Sequence, residues 1–182
     1  MMARILKFGL PVVALVALFA FTALRAKAAD LLTPGTSAPD FGAISQEDKT
    51  VHLSDYKGKW VVLYFYPKDM TTGCTIEAHN FQRDDAKYKA ADAVVLGVSL
   101  DTVESHKTFC SKDGLNFKLL ADPDHKVIDA YNVPIKGMGP VKFASRVTYL
   151  ITPDGKVAKV WPDVKVQAHS DEVLAAIADS KK

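Results

Sequence analysis

The chain has 182 residues, 48% of them apolar, with 23 Lys and Arg against 21 Asp and Glu. That length and apolar content suit one domain with a core of its own. The basic and acidic residues are interspersed rather than clustered, which leaves no phosphate-tracking patch and argues against a nucleic-acid partner.

The first segment stands apart. Arg4 and Lys7 precede an apolar run from Phe8 to Leu24, and Ala26 and Ala28 form an A-x-A pattern behind it. This is the layout of a secretory signal peptide over residues 1–28, with cleavage before Ala29, which leaves residues 29–182 as the mature domain. An uncleaved anchor is the alternative, because 17 apolar residues are slightly long for a signal core and slightly short for a spanning helix. Export places the mature chain in an oxidising compartment, expected to be the bacterial periplasm, with no stable membrane association after cleavage. Loss of Arg4, Lys7, Arg25 and Lys27 leaves 19 basic residues against 21 acidic ones, so the exported protein is mildly acidic.

After a short polar lead from Thr33 to Pro39, strand-like and helix-like segments alternate. Residues 59–67, KWVVLYFYP, form a continuous β-branched and aromatic run that predicts a buried central strand, and residues 93–100, AVVLGVSL, predict a second. Between them Thr75 to Lys89 predicts the crossover helix of a βαβ unit, beginning at Cys74. Asp101 or Thr102 is an N-cap for a helix that runs to about Asp113 and is closed by Gly114, which puts Cys110 in its last turn. FKLLAD, residues 117–122, reads as a short strand and HKVIDAYNV as a short helix ending before Pro134. RVTYLITPDGKVAKVWP predicts two antiparallel strands joined at Pro153, Asp154 and Gly155. Ser170 to Ser180 predicts a closing amphipathic helix with Val173, Leu174, Ile177 and Ala178 on one face. This order is similar to that of a thioredoxin-like α/β sandwich, a central mixed sheet flanked by helices, although periodicity leaves other α/β arrangements open.

The chain has two cysteines, Cys74 and Cys110. In an oxidising compartment an even count reads most simply as one structural disulfide, yet a core of this size does not require a staple. The position of Cys74 offers a second reading. A strand ending at Pro67 feeds a polar loop that delivers the thiol to the first turn of a helix, where unpaired N–H groups and the helix dipole favour a thiolate, the nucleophilic form. Thr71, three residues earlier, brings a hydroxyl toward the same place.

Pro67, Thr71 and Cys74 match the P-x-x-x-T-x-x-C motif of the peroxiredoxins, with Arg146 in the strand-like ASRVTYLI. The longer strings YFYPKDMTTGCTIE, SHKTF and LLADPDHKV are most similar to the BCP/PrxQ subfamily, and the resemblance runs from about Leu32 to the C-terminus. It implies a thioredoxin fold and a thiol-dependent peroxidase. Cys74 would be the peroxidatic cysteine, becoming a sulfenic acid on attack at a hydroperoxide. Arg146 and the N–H groups around Gly73 and Cys74 would stabilise the charge that develops, Thr71 would orient the peroxide, Pro67 would shield the pocket, and Glu77 would support them. Loops around Met70 and Gly137 to Pro140 would shape the pocket surface.

The chain departs from many subfamily members at position 79, where a resolving cysteine is replaced by His79. The resemblance then implies that Cys110, 36 residues after Cys74 on the next helix, is the resolving cysteine and closes an intramolecular disulfide. An inert core thiol beside Phe109 is the alternative for Cys110. Closure needs the two Cα atoms at about 5.5 Å, so if the reduced protein holds them much farther apart, the helix start at Cys74 and the helix end at Cys110 must unwind. The resemblance further implies hydrogen peroxide or organic hydroperoxides as substrates, an exported thioredoxin-like protein as reductant, no cofactor, and a monomer.

His52, His79, His106, His125 and His169 show no metal-ligand spacing such as H-E-x-x-H, so no metal is expected. His79, about one turn from Cys74, reads as a solvated surface residue or a neighbour of the thiolate. Two rival readings remain. A thiol-disulfide oxidoreductase would carry C-x-x-C at the strand-to-helix turn, where Thr71 occupies the first cysteine position. A non-catalytic thioredoxin-fold domain would keep a permanent Cys74–Cys110 staple.

Overall fold

The computed structural model describes residues 30–181; the signal peptide expected over residues 1–28 and its expected cleavage before Ala29 fall outside them. The chain opens with a hairpin of β1 (Gly42–Ser45) and β2 (Thr50–His52) and a 3-10 turn at Leu53–Tyr56. The central strand β3 (Trp60–Phe65) leads into helices α1 (Thr72–Arg83) and α2 (Asp85–Ala90), and β4 (Ala93–Ser99) leads into α3 (Val103–Asp113). Strand β5 (Lys118–Ala121), helix α4 (Lys126–Ala130) and a hairpin of β6 (Ile135–Met138) and β7 (Val141–Ala144) follow. A last hairpin, β8 (Val147–Ile151) with β9 (Val157–Trp161), and helix α5 (His169–Ser180) complete the chain.

Seven strands make one mixed sheet in the order β2-β1-β5-β4-β3-β8-β9, and β6 and β7 pair separately. Strands β3, β4 and β5 are parallel, while β8 runs antiparallel to β3 with Phe65 opposite Val147. The continuous apolar run of β3 is explained by burial on both faces. Val61, Leu63 and Phe65 face one core with Val127 and Ile128 of α4 and with Tyr131 just after it. Trp60, Val62, Tyr64 and Tyr66 face the other, packed with Ala78 and Phe81 of α1, Phe109 of α3, and Val173 and Ile177 of α5.

This topology brings three strand ends to one edge. The carboxyl ends of the parallel strands β3 and β4 lie side by side, and the antiparallel β8 begins where β3 finishes. The loop before Cys74, the turn after β4 and Arg146 are thereby gathered by sheet geometry alone.

The structure amends the expected elements in several places. Helix α1 starts at Thr72, two residues ahead of Cys74, with Thr71 as N-cap. The expected crossover helix is two helices broken at Asp84, whose buried carboxylate accepts from Ser170 Oγ and pairs with Lys87, each at 2.8 Å, and with Arg83. Satisfying that carboxylate locally competes with helix continuation. In α5 the buried residues are His169, Ser170, Val173, Ala176 and Ile177, with Leu174 half-buried and Ala178 exposed. His169 at the start of α5 places Nε2 2.8 Å from Thr148 Oγ1, which ties the helix to β8. The hairpins β1–β2 and β6–β7 have strands of three or four residues, too short to register as periodic runs. Residues Gly137 to Pro140, expected as loop, are largely part of the second hairpin.

Tyr64 lies against Tyr66 and Phe81 with ring centroids 5.3 and 4.9 Å away. Gly97 of β4 makes this possible, because a Cβ there would stand 2.7 Å from both Tyr64 Cζ and Leu119 Cδ2. Gly97→Ala is therefore expected to cost about 1–3 kcal/mol of unfolding free energy through overpacking. Urea unfolding measures it, and an unchanged midpoint would contradict this packing.

Candidate active site

The site begins where β3 runs out. After Tyr66 the chain passes half-buried Pro67 and turns through Lys68–Met70, with Met70 in the left-handed region at φ 56°. The Thr71 hydroxyl donates to the Lys68 carbonyl at 3.0 Å and fixes the turn. Thr75 N–H makes the first helical bond, to the Thr71 carbonyl at 2.9 Å. The N–H groups of Thr72, Gly73 and Cys74 lie ahead of it, at the positive end of the helix. The Thr71 side chain does not cap them.

Cys74 is buried, with 1% of its surface exposed, and it stands in that first turn. Arg146, immediately before β8, reaches it: Nη2 donates to Cys74 Sγ at 3.2 Å. The other guanidinium nitrogen, Nη1, pairs with Glu77 Oε2 one turn along α1. Burial works against the Arg146 charge, but Glu77 and Cys74 outweigh it and hold the guanidinium above its ordinary pKa. Burial pushes the Glu77 carboxyl up to about 7 against the pull of Arg146. Glu77 Oε1 is buried with no hydrogen-bond partner among the described residues, where the carboxylate is held through Oε2. The arrangement is a thiol fixed between a cation and free backbone donors, suited to hold negative charge on and beside sulfur.

Of the residues expected at the site, Cys74, Arg146 and Glu77 are in one hydrogen-bonded group, and Thr71 and Pro67 frame the turn that leads into it. Cys110 lies elsewhere, in the last turn of α3, half-buried against the same apolar core as Cys74. Both cysteines are free thiols. Burial, and then the charges of Asp69 and Glu47, push the Cys110 thiol up to about 12. His79 is exposed and places Nε2 3.0 Å from Asp113 Oδ1 at the end of α3, which gives it a carboxylate partner on that helix.

From sequence, His106 is only a histidine without metal-ligand spacing, and nothing pairs it with Asp69. Asp69, in the active-site turn, is 4% exposed, and His106 of α3 is fully buried against it. The available signal was a charged residue inside an otherwise tight turn, but no spacing rule links positions 69 and 106.

Comparison with known proteins gives this geometry a family. Residues 34–160 match the AhpC/TSA family. The chain is 44% identical over 148 residues to Peroxiredoxin Bcp of Bacillus subtilis (strain 168), covering 80% of this chain and 94% of that protein. A PrxQ mutant structure from Xylella fastidiosa superposes with a TM-score of 0.79 at 33% identity, over 85% of this chain and 100% of that one. The Xanthomonas campestris bacterioferritin comigratory protein, whose structures concern its alkyl peroxide reduction activity, superposes with a TM-score of 0.74 at 36% identity, over 85% and 99% of the two chains. With a thioredoxin-like fold and a buried cysteine under an arginine at a helix start, the chain belongs to the peroxiredoxins of the Bcp/PrxQ type and is a thiol peroxidase.

Proposed function

We propose that Cys74 is the peroxidatic cysteine of a two-cysteine cycle and that Cys110 resolves it. The observation that carries this reading is the 3.2 Å contact between Arg146 Nη2 and the buried Cys74 Sγ. The Cys74 thiolate attacks the terminal oxygen of a hydroperoxide. A sulfur–oxygen bond forms, the oxygen–oxygen bond breaks, and the departing alkoxide or hydroxide takes up a proton to leave as alcohol or water. Arg146 and the N–H groups of Thr72, Gly73 and Cys74 stabilise the charge on the oxygens in that step. Thr71, whose own proton goes to Lys68, offers hydroxyl lone pairs to the peroxide O–H, and Pro67 limits water at the pocket.

Cys110 then attacks the sulfenic acid sulfur. The Cys74–Cys110 disulfide forms and water leaves. A thioredoxin-like dithiol protein reduces the disulfide by exchange and takes the oxidising equivalents away. Hydrogen peroxide and organic hydroperoxides are the substrates, the latter in keeping with the alkyl peroxide reduction of the Xanthomonas campestris relative. The enzyme works as an exported monomer in the bacterial periplasm after loss of residues 1–28, a reading supported by Arg4, Lys7, the apolar run and the Ala26–Ala28 pair.

Intact mass of the reduced mature protein before and after one equivalent of hydrogen peroxide tests the cycle. A loss of about two daltons, mapped to Cys74 joined to Cys110, is expected. Cys74→Ser should consume no peroxide, while Cys110→Ser should gain about 16 or 32 daltons on Cys74. Unchanged peroxide consumption by Cys74→Ser would overturn the assignment.

Glu77 has a second, measurable consequence. Its carboxyl titrates at about 7 in the folded protein against an ordinary 4.5, so between these values the native state holds a proton that the unfolded chain has lost. Stability therefore falls as pH rises through this window, by about 3 kcal/mol for a shift of this size. Urea unfolding of the wild type and Glu77→Gln at pH 5 and pH 7.5 should show the wild type losing stability relative to the variant. Parallel profiles would contradict it.

A further inference from the structure

Asp69 is the hub of a second buried polar group, one that the peroxide chemistry leaves unused. Its Oδ1 accepts from the Tyr66 hydroxyl at 2.6 Å, and its Oδ2 accepts from Ser105 Oγ at 2.7 Å and from His106 Nδ1 at 2.8 Å. Its backbone N–H donates to Asp101 Oδ2 at 2.9 Å, and that oxygen also accepts from Ser99 Oγ at 2.7 Å. Burial raises the Asp69 carboxyl, but the bonds from His106, Tyr66 and Ser105 outweigh burial and leave it below its ordinary range. An ionised carboxylate only accepts, so His106 carries a proton on Nδ1. The other ring nitrogen, Nε2, is buried without a hydrogen-bond partner among the described residues.

The position of this group gives it a consequence. Asp69 belongs to the turn that delivers Cys74, whereas Ser105 and His106 belong to α3, where Cys110 stands one turn beyond His106 on the same face. Helix α3 has 11 residues, too few to be stable without tertiary support. Buried Phe109 supplies the apolar support and the Asp69 group the polar support. Both cysteines are held in helices as free thiols, and a disulfide needs Cα atoms at about 5.5 Å with suitably directed Cβ atoms.

We propose that Asp69 and His106 are positioning residues of the peroxidase, a buried clasp that keeps α3 folded while Cys74 meets peroxide and whose release sets the rate of disulfide closure. This rests on the reading of Cys110 as resolving cysteine. The gated step is Cys74 sulfenic acid plus Cys110 thiol giving disulfide plus water, with no other oxidant. The Asp69 charge also helps to keep the Cys110 thiol protonated while the clasp is shut, so release both frees the helix and removes that charge.

Rapid-quench alkylation with intact-mass readout, after mixing with hydrogen peroxide, resolves the two steps in the wild type, His106→Leu, Ser105→Ala and His106→Asn. Circular dichroism and the unfolding midpoint identify the variants that are folded. His106→Leu should close the disulfide about tenfold faster, the scale of one hydrogen bond to a charged group. Ser105→Ala should give a smaller gain, and His106→Asn, which keeps a donor near the Nδ1 position, should return toward the wild type. Sulfenic acid formation should change less than closure, and sulfinic acid at excess peroxide should fall. A loss of packing without a gating role would slow both steps. Closure rates that are unchanged or slower in folded Ser105→Ala and His106→Leu would overturn the clasp while leaving the two-cysteine cycle standing. Absence of the Cys74–Cys110 disulfide in the wild type would overturn the cycle, and the gating role with it.

Discussion

In the cycle proposed for this protein, the contact between Arg146 and Cys74 is the interaction on which the chemistry depends. A buried thiol with 1% exposure has little water to stabilise a charge on sulfur, and a guanidinium nitrogen at 3.2 Å supplies what solvent does not. The same cation would be an uncompensated buried charge without Glu77, which shares it from one turn along α1. Thiol, cation and carboxylate thus form a unit whose members each make the burial of the others tolerable. That unit excludes water from the sulfur and leaves donors free at the helix start.

Topology makes the unit possible. Arg146 is far from Cys74 in sequence, but the antiparallel pairing of β8 with β3 sets Val147 opposite Phe65 and so puts the start of one strand beside the end of the other. Parallel β4 brings Ser99 and Asp101 to the same edge, where Asp101 holds the backbone of the active-site turn. Behind that edge, Tyr64 and Tyr66 alternate to one face and connect the turn to the core that α1 and α3 share. A site assembled from three strand ends inherits the rigidity of the sheet.

Much of this was legible in the sequence, for identifiable reasons. The β3 and β4 runs are apolar on both faces and therefore continuous, and Thr102 and Gly114 mark both ends of α3, Thr102 accepting from Ser105 N–H and Gly114 at φ 65°. Cys74 was legible because a strand, a proline and a polar turn lead to it. Short hairpins were not, because three or four residues carry too little periodicity, and the break at Asp84 was not, because one of the partners of its buried carboxylate, Ser170, lies in the distant α5. The Asp69–His106 group escaped for the same reason: its bonds cross 37 residues, and only the folded sheet edge brings them together. The family resemblance implies a supporting place for the Glu77 carboxyl, but its tie to Arg146 through Oε2 and its raised titration arise from burial that no local pattern encodes.

The most direct test of the central claim is the second-order rate constant for reaction of the reduced protein with hydrogen peroxide in the wild type and Arg146→Gln, with folding verified by thermal unfolding. If the Arg146–Cys74 contact makes the sulfur a peroxide nucleophile, the variant loses at least about 100-fold in rate, the scale of removing one preorganised charge-stabilising donor. A folded variant within about threefold of the wild type would contradict the account, because that is less than half of a 1.4 kcal/mol tenfold step and too small for a contact on which the chemistry rests.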